Sequence, residues 1–182
     1  DGLLFHHESA LECMPLLEKL RERGLTRLTG ISLDSNQARD IEPLAATQIP
    51  GNILDRRFAQ YAHRAAEHKG LIFVRSVYLQ GLLFKPEKQL HPVFQETLLP
   101  VRRKLENLAG EAGLKSTELY FRYLLSNPDF TCILSGVDSP EQLQENLRIV
   151  QAGVLPAELL QKIDGIVPEF PEELIRPSSW PR

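Results

Sequence analysis

Ala46-Thr47-Gln48-Ile49 is followed by a helical pattern from Leu54 to His68, then Gly70, then Leu71-Ile72-Phe73-Val74. Two short apolar runs separated by one helix length describe a β-α-β unit. Near-continuous apolar character in both runs points to strands covered on both faces, as in a parallel sheet. Working outward, the same run type recurs at Leu3-Leu4-Phe5, Leu28-Thr29-Gly30-Ile31-Ser32 and Phe130-Thr131-Cys132-Ile133-Leu134.

Helical patterns fill the intervals. Leu16, Leu17 and Leu20 form a stripe that stops at Gly24, with Arg21 and Arg23 in the last turn and Pro15 suited to the first. Ser35 to Ala45 reads as a second helix, and Leu54 to His68 as a third, closed by Gly70. A long amphipathic helix from Pro92 to Ala112 is expected to tolerate or kink at Pro100. Thr117 reads as the cap of a helix running to Asn127-Pro128, and Pro156 as the start of a further one. Ser139-Pro140-Glu141-Gln142 offers an N-cap Ser, a first-turn Pro and a Gln placed for a capping box.

Repeated β-α units imply right-handed parallel crossovers, either in an open doubly wound sheet or in a closed barrel. No GxGxxG turn follows any of the strands, so the barrel is favoured over the dinucleotide-binding open sheet. Residues 1–182 read as a single domain, with a Pro-rich surface tail over 168–182.

Length, composition and charge set the outer limits. The 182 residues are 42% hydrophobic and 25% charged, the proportions of a globular domain. A net charge of −3 gives no electrostatic reason to expect nucleic acid or an anionic membrane surface. No apolar stretch approaches the roughly 20 residues that span a bilayer. Cys13 and Cys132 are far apart and outside any CxxC spacing, so neither disulfide framework nor zinc site is indicated and a cytoplasmic setting is expected. Asp1-Gly2-Leu3-Leu4-Phe5 has no initiator Met or signal segment and reads as a strand already under way.

In a parallel barrel, chemistry collects at the C-terminal ends of the strands. The polar residues there are His6 and His7, Ser32, Gln48 with Asn52, Arg75-Ser76, and Gly136 with the helix after it. Singly, each has an ordinary structural role. Together, in order, they resemble the aldo-keto reductase superfamily. Asp1 to His6 resembles the family's fourth strand, with an Asp five residues before the active-site His. Gly30-Ile31-Ser32 is similar to the fifth strand end, and Gln48 to Arg57 to the sixth strand with its loop. Arg75 to Leu83 resembles the seventh strand exit, and Gly136 to Gln142, with Asn146, the eighth strand exit and helix.

The resemblance implies an α/β, (β/α)8 TIM barrel of which this chain supplies roughly the fourth to eighth strands, the N-terminal half lying elsewhere. It implies hydride transfer from NADP or NAD to a small-molecule carbonyl substrate, an aldehyde or a ketone. His6 would orient the carbonyl or assist its protonation, as an imidazole can near neutrality. Ser32 and Gln48 would hold the nicotinamide carboxamide, and Arg75 would stack under the ring. Ser76 and Gly81 would meet the pyrophosphate. Gly136, Gln142 and Asn146 would surround the adenosine, at a helix N-terminus suited to anions. The segment from Leu82 to Phe94, with Phe84 and Phe94, is expected to wall the pocket.

Departures accompany the match. Leu33 stands where many relatives have Asn, and Gly136 and Gln142 stand where Lys or Arg often grips the 2′-phosphate of NADPH. The family's catalytic Tyr, Lys and Asp fall outside the matched stretch, and Tyr61, Tyr78, Tyr120 and Tyr123 do not match that Tyr. A non-catalytic nucleotide-binding or interaction module is therefore the alternative to a reductase. Another TIM-barrel enzyme that binds phosphate would explain the Gly136 region but neither His6 nor Gln48.

Overall fold

The structure, a computed structural model, describes residues 1–180. The chain read above as one domain divides into two compact units, each assembled from separate stretches.

The first unit comprises Asp1–Gly51, Arg56–Arg75 and Pro128–Leu134. Its strands are β1 (Gly2–Phe5), β2 (Leu28–Ser32), β3 (Ala46–Pro50), β4 (Leu71–Arg75) and β5 (Cys132–Ile133). They form one parallel sheet in the order β1-β2-β3-β4-β5. Each strand lies beside its predecessor, so the strand order never reverses as it does in a doubly wound sheet. An α/β fold with a parallel sheet is thus observed, as the apolar runs predict. Covered strands follow the same logic: Ile31, Ala46 and Ile72 are fully buried. Gly30 is demanded by the closeness of β2 and β3. A Cβ there would stand 1.7 Å from the Ala46 carbonyl oxygen.

Two helices belong to this unit, α1 (Met14–Glu22) and α2 (Ala59–Glu67). Helix α1 has Pro15 in its first turn and ends before Gly24, which takes φ 71° as its exit. A 3-10 turn over Glu8–Cys13 precedes it, unanticipated by periodicity. The helix expected over 35–45 is absent; only a 3-10 turn at Asn36–Ala38 forms. The Glu8 carboxylate accepts from the Asp34 and Ser35 amides at 3.0 and 2.9 Å, and Pro43 blocks a helix downstream. Likewise α2 starts at Ala59 instead of Leu54, because the Asn52 side chain accepts from the amides of Leu54 and Asp55 and holds a turn there.

The second unit comprises Asn52–Asp55, Ser76–Asn127 and Ser135–Arg182. It is helical: α3 (Pro92–Thr97), α4 (Leu99–Glu111), α5 (Ser116–Leu125), α6 (Pro140–Gln151), α7 (Ala157–Ile166) and α8 (Glu172–Ile175). The expected long helix is interrupted at Leu98, which keeps helical dihedrals, with Pro100 in the first turn of α4. Lys115, not Thr117, occupies the N-cap of α5. Ser139 caps α6 as predicted, its hydroxyl accepting from the Gln142 amide. Leu105, Leu119 and Ile163 are completely buried in one core. Within the tail, Ile175 is buried in that core and Trp180 packs edge-on against Phe94, centroids 5.2 Å apart. An isoleucine that can bury its side chain docks whatever the Pro content around it. Residues 181 and 182 lie outside the described residues.

Candidate functional site

In the first unit, Ser32, the last residue of β2, stands in register with Gln48, the middle residue of β3. The Ser32 hydroxyl donates to Gln48 Oε1 at 3.1 Å, in partly buried surroundings. Arg75, at the end of β4, donates through Nη2 to the Leu33 carbonyl at 3.1 Å and to Asp34 Oδ1 at 2.8 Å. Its guanidinium therefore ties the loop after β2. His6 lies exposed just beyond β1. His7 is structural: its ring accepts from the Ser9 amide at the start of a 3-10 turn. Burial pushes the Glu8 carboxyl up, but hydrogen bonds from its own amide and from Ser35 outweigh it and hold the group below the usual range.

The second unit holds a cavity of about 700 Å³. Its walls are Tyr78, Gly81 and Phe84 from the loop after β4, Lys115 and Thr117 from the start of α5, Gly136 and Asp138, and one face of α6. That face presents Gln142, Glu145, Asn146 and Ile149, the i, i+3, i+4, i+7 spacing of a helical stripe. The loop after β4 reaches the cavity through a tight reversal. Ser76, Leu79 and Gln80 adopt φ of 65°, 48° and 51°, and Gly81 φ 81°. Non-glycine residues in this region each cost about 1–3 kcal/mol, a strain that concentrates at ligand sites and switch segments.

Gly81, Gly136, Gln142 and Asn146, singled out from the sequence for the adenosine and pyrophosphate end, are thus brought together in one cavity. Ser76 is not among its walls; its carbonyl accepts from the Asn52 amide at 3.2 Å and from the Leu79 amide at 2.9 Å. Asn52, fully buried, is a loop-holding residue. Of the expected aromatic wall, Phe84 lines the cavity while Phe94 sits in the core. Sequence reasoning passed over Lys115, Thr117 and Glu145. Glu145 alone left a trace, lying one helical turn from Gln142 and beside Asn146.

Charge organises these walls. Lys115 Nζ lies 3.2 Å from Glu145 Oε1, and Arg148 bridges Glu145 to the buried Glu118. Hydrogen bonds from Arg148 first, then Lys115, bring the Glu145 carboxyl down to about 2. Burial, with Glu145 adding, pushes the Tyr78 hydroxyl up to about 12. Tyr61 and Tyr120 are raised as well, again chiefly by burial.

The aldo/keto reductase family model matches residues 4–168, most of the chain. The chain belongs to the aldo/keto reductase family.

Relatives within this family are distant. An uncharacterized oxidoreductase, YqkF, of Bacillus subtilis is 25% identical over 168 residues, covering 85% of this chain and 54% of that protein. L-galactose dehydrogenase of Arabidopsis thaliana is 24% identical over 187 residues, covering 93% of this chain and 56% of the relative. The chain thus spans about half the length of the curated relatives it matches. The holo form of aldo-keto reductase AKR11C1 from Bacillus halodurans superposes with a TM-score of 0.77 at 23% identity, over 97% of this chain and 61% of that one. Glycerol dehydrogenase AKR11B4 from Gluconobacter oxydans gives 0.70 at 22% identity, over all of this chain and 60% of that one. At such identities these likenesses speak for the fold. Among the described residues, no helix of this chain is long and apolar enough to cross a membrane.

Proposed function

We propose that this chain is part of a nicotinamide-dependent oxidoreductase that reduces a small aldehyde or ketone, using NAD(H) or NADP(H). The observation that carries the reading is the cavity of the second unit. It collects Gly81, Gly136, Gln142 and Asn146, which are distant in sequence yet share the role that family resemblance assigns them. A nucleoside fits the cavity's chemistry: aromatic faces from Tyr78 and Phe84, amide groups from Gln142 and Asn146, and a glycine at position 136 where a Cβ would meet nothing within 4 Å.

In the first unit, taken by itself, the family resemblance gives Gln48 the nicotinamide carboxamide. With Oε1 taken by the Ser32 hydroxyl, Gln48 keeps its NH2 to offer a carboxamide oxygen. The bound cofactor would supply the hydride from its nicotinamide ring. His6, exposed beyond β1, is the chain's own candidate to donate to a carbonyl oxygen. Arg75 fits stacking less well, since Asp34 and Leu33 already hold its guanidinium. Tyr61, Tyr78 and Tyr120 have hydroxyls raised above the ordinary tyrosine value, the opposite of an acidified donor.

We place the sheet in a closed (β/α)8 barrel, as its fourth to eighth strands, in a cytoplasmic enzyme. Supporting this, β1 and β5 each have one neighbour in the strand order, and Leu3 and Leu16 are exposed at 43% and 58%. Separately, α6 carries an exposed apolar line, Leu143, Leu147 and Val150, that a longer protein would cover.

The test is NADH and NADPH oxidation by the intact native protein against a panel of aldehydes and ketones, with His6→Ala alongside. Turnover that falls at least tenfold in His6→Ala supports the reductase. Tight cofactor binding without turnover would replace it with a nucleotide-binding module. Neither binding nor turnover would overturn both.

A further inference from the structure

The cavity of the second unit carries an unbalanced charge. Asp138, Glu141 and Glu145 line it, and among the described residues Lys115 is the only cation in its lining. That ammonium is committed to Glu145 at 3.2 Å. Arg148 turns instead to Glu118 and Glu145, at 2.9 Å from each. Glu141 and Glu145 both hold their protons less tightly than an ordinary glutamate, so both are ionised at neutral pH.

The N-terminus of α6 would ordinarily welcome an anion. Here its donors are spent within the chain. The Ser139 hydroxyl accepts from the Gln142 amide at 3.3 Å, and Gln142 Oε1 accepts from the Asp138 amide at 2.7 Å. Glu141 places a carboxylate in the first turn, where the Ser139 hydroxyl and its own amide stabilise it. Space is not the obstacle, because a Cβ on Gly136 would meet nothing within 4 Å. A phosphomonoester, close to dianionic at neutral pH, would enter a cavity with carboxylates on several sides and, among the described residues, no uncommitted cation in its walls.

We propose that this cavity selects an adenosine whose ribose carries no 2′-phosphate, so that the protein uses NAD(H) in preference to NADP(H). The inference rests on the nucleotide reading above and adds the discrimination to it. Repulsion, not fit, does the discriminating: the carboxylates of Asp138 and Glu141 act on the phosphate that only NADPH bears.

Calorimetric titration of the intact native protein with NADH and with NADPH tests this, at low and at high salt. The expected result is a Kd for NADH about tenfold or more below that for NADPH at low salt, with the ratio shrinking as salt screens the charges. Asp138→Lys and Glu141→Lys should each narrow or reverse the ratio by tightening NADPH. Equal affinities, or tighter NADPH in the unaltered protein, would overturn the proposal while leaving the nucleotide reading intact. A preference for NADH that neither salt nor either variant changes would overturn the electrostatic cause. If neither dinucleotide binds, the nucleotide reading itself fails and this inference falls with it. Should a variant fail to fold, the salt dependence of the unaltered protein decides.

Discussion

Arg75 Nη2 donates to Asp34 Oδ1 across 2.8 Å, joining the end of β4 to the loop after β2. The two side chains are 29% and 18% exposed, so the pair is only partly screened by solvent. The same nitrogen reaches the Leu33 carbonyl, which makes Arg75 a brace for the backbone between Ser32 and Ser35. The two residues are energetically coupled through this brace. Arg75→Met and Asp34→Asn should each destabilise the native protein, and the double variant should recover about 1 kcal/mol of the summed loss. Additive losses in urea denaturation would show that the pair is incidental.

Gln48→Leu isolates the proposed nicotinamide end. Removing the amide that partners Ser32 deletes one net hydrogen bond to the ligand, about 0.5–1.5 kcal/mol, so cofactor Kd should rise by about 2- to 10-fold. Stability should fall as well, by about 1–3 kcal/mol, because the buried Ser32 loses the acceptor of its hydroxyl. An unchanged Kd would remove Gln48 from the cofactor site.

Gly30→Ala probes the sheet itself. The new methyl would fall on the Ala46 carbonyl oxygen, and backbone has no rotamer by which to yield. Overpacking of this kind costs about 3 kcal/mol or more. The midpoint of denaturant unfolding should drop accordingly, or the protein should fail to accumulate. A near-native midpoint would mean that β2 and β3 lie farther apart than described.

Glu118 predicts an acid-sensitive contact. Hydrogen bonds from Arg148 first, then Arg122, outweigh burial and lower its carboxyl below 4.5. The folded protein therefore binds this proton less readily than the unfolded chain. The stabilisation is complete above about pH 5 and is lost as pH falls through the ordinary glutamate value towards the lowered one. Glu118→Gln should cost about 1–3 kcal/mol at pH 7, and the gap to the unaltered protein should shrink towards pH 3. A gap independent of pH would refute the ion-pair account.

The legible part of the molecule is the part written in local pattern. Apolar runs located every strand, and Ser139 with Gln142 marked the start of α6, because strand burial and helix capping depend on residues a few positions apart. The misread segments share one cause. The helix expected over 35–45 lost its first donors to Glu8, which lies 26 and 27 residues earlier. The start of α2 moved because Asn52 claimed two amides. Each is a contact that outweighs a weak local propensity.

By itself the sequence determined a parallel β-α architecture, membership in the aldo/keto reductase family, and the strands that carry Ser32, Gln48 and Arg75. Those follow from periodicities of two and 3.6 residues and from the order of motifs along the chain. Only the tertiary structure decided that Lys115 meets Glu145, that Arg148 meets Glu118, and that Tyr78, Gly81 and Phe84 share a cavity with α6. Those partners are separated by 30 residues or more in the ion pairs, and by over 50 between Gly81 and Gly136. No local period specifies such a distance. It is set when helices pack and loops reverse, and the charge character of the cavity is set with it.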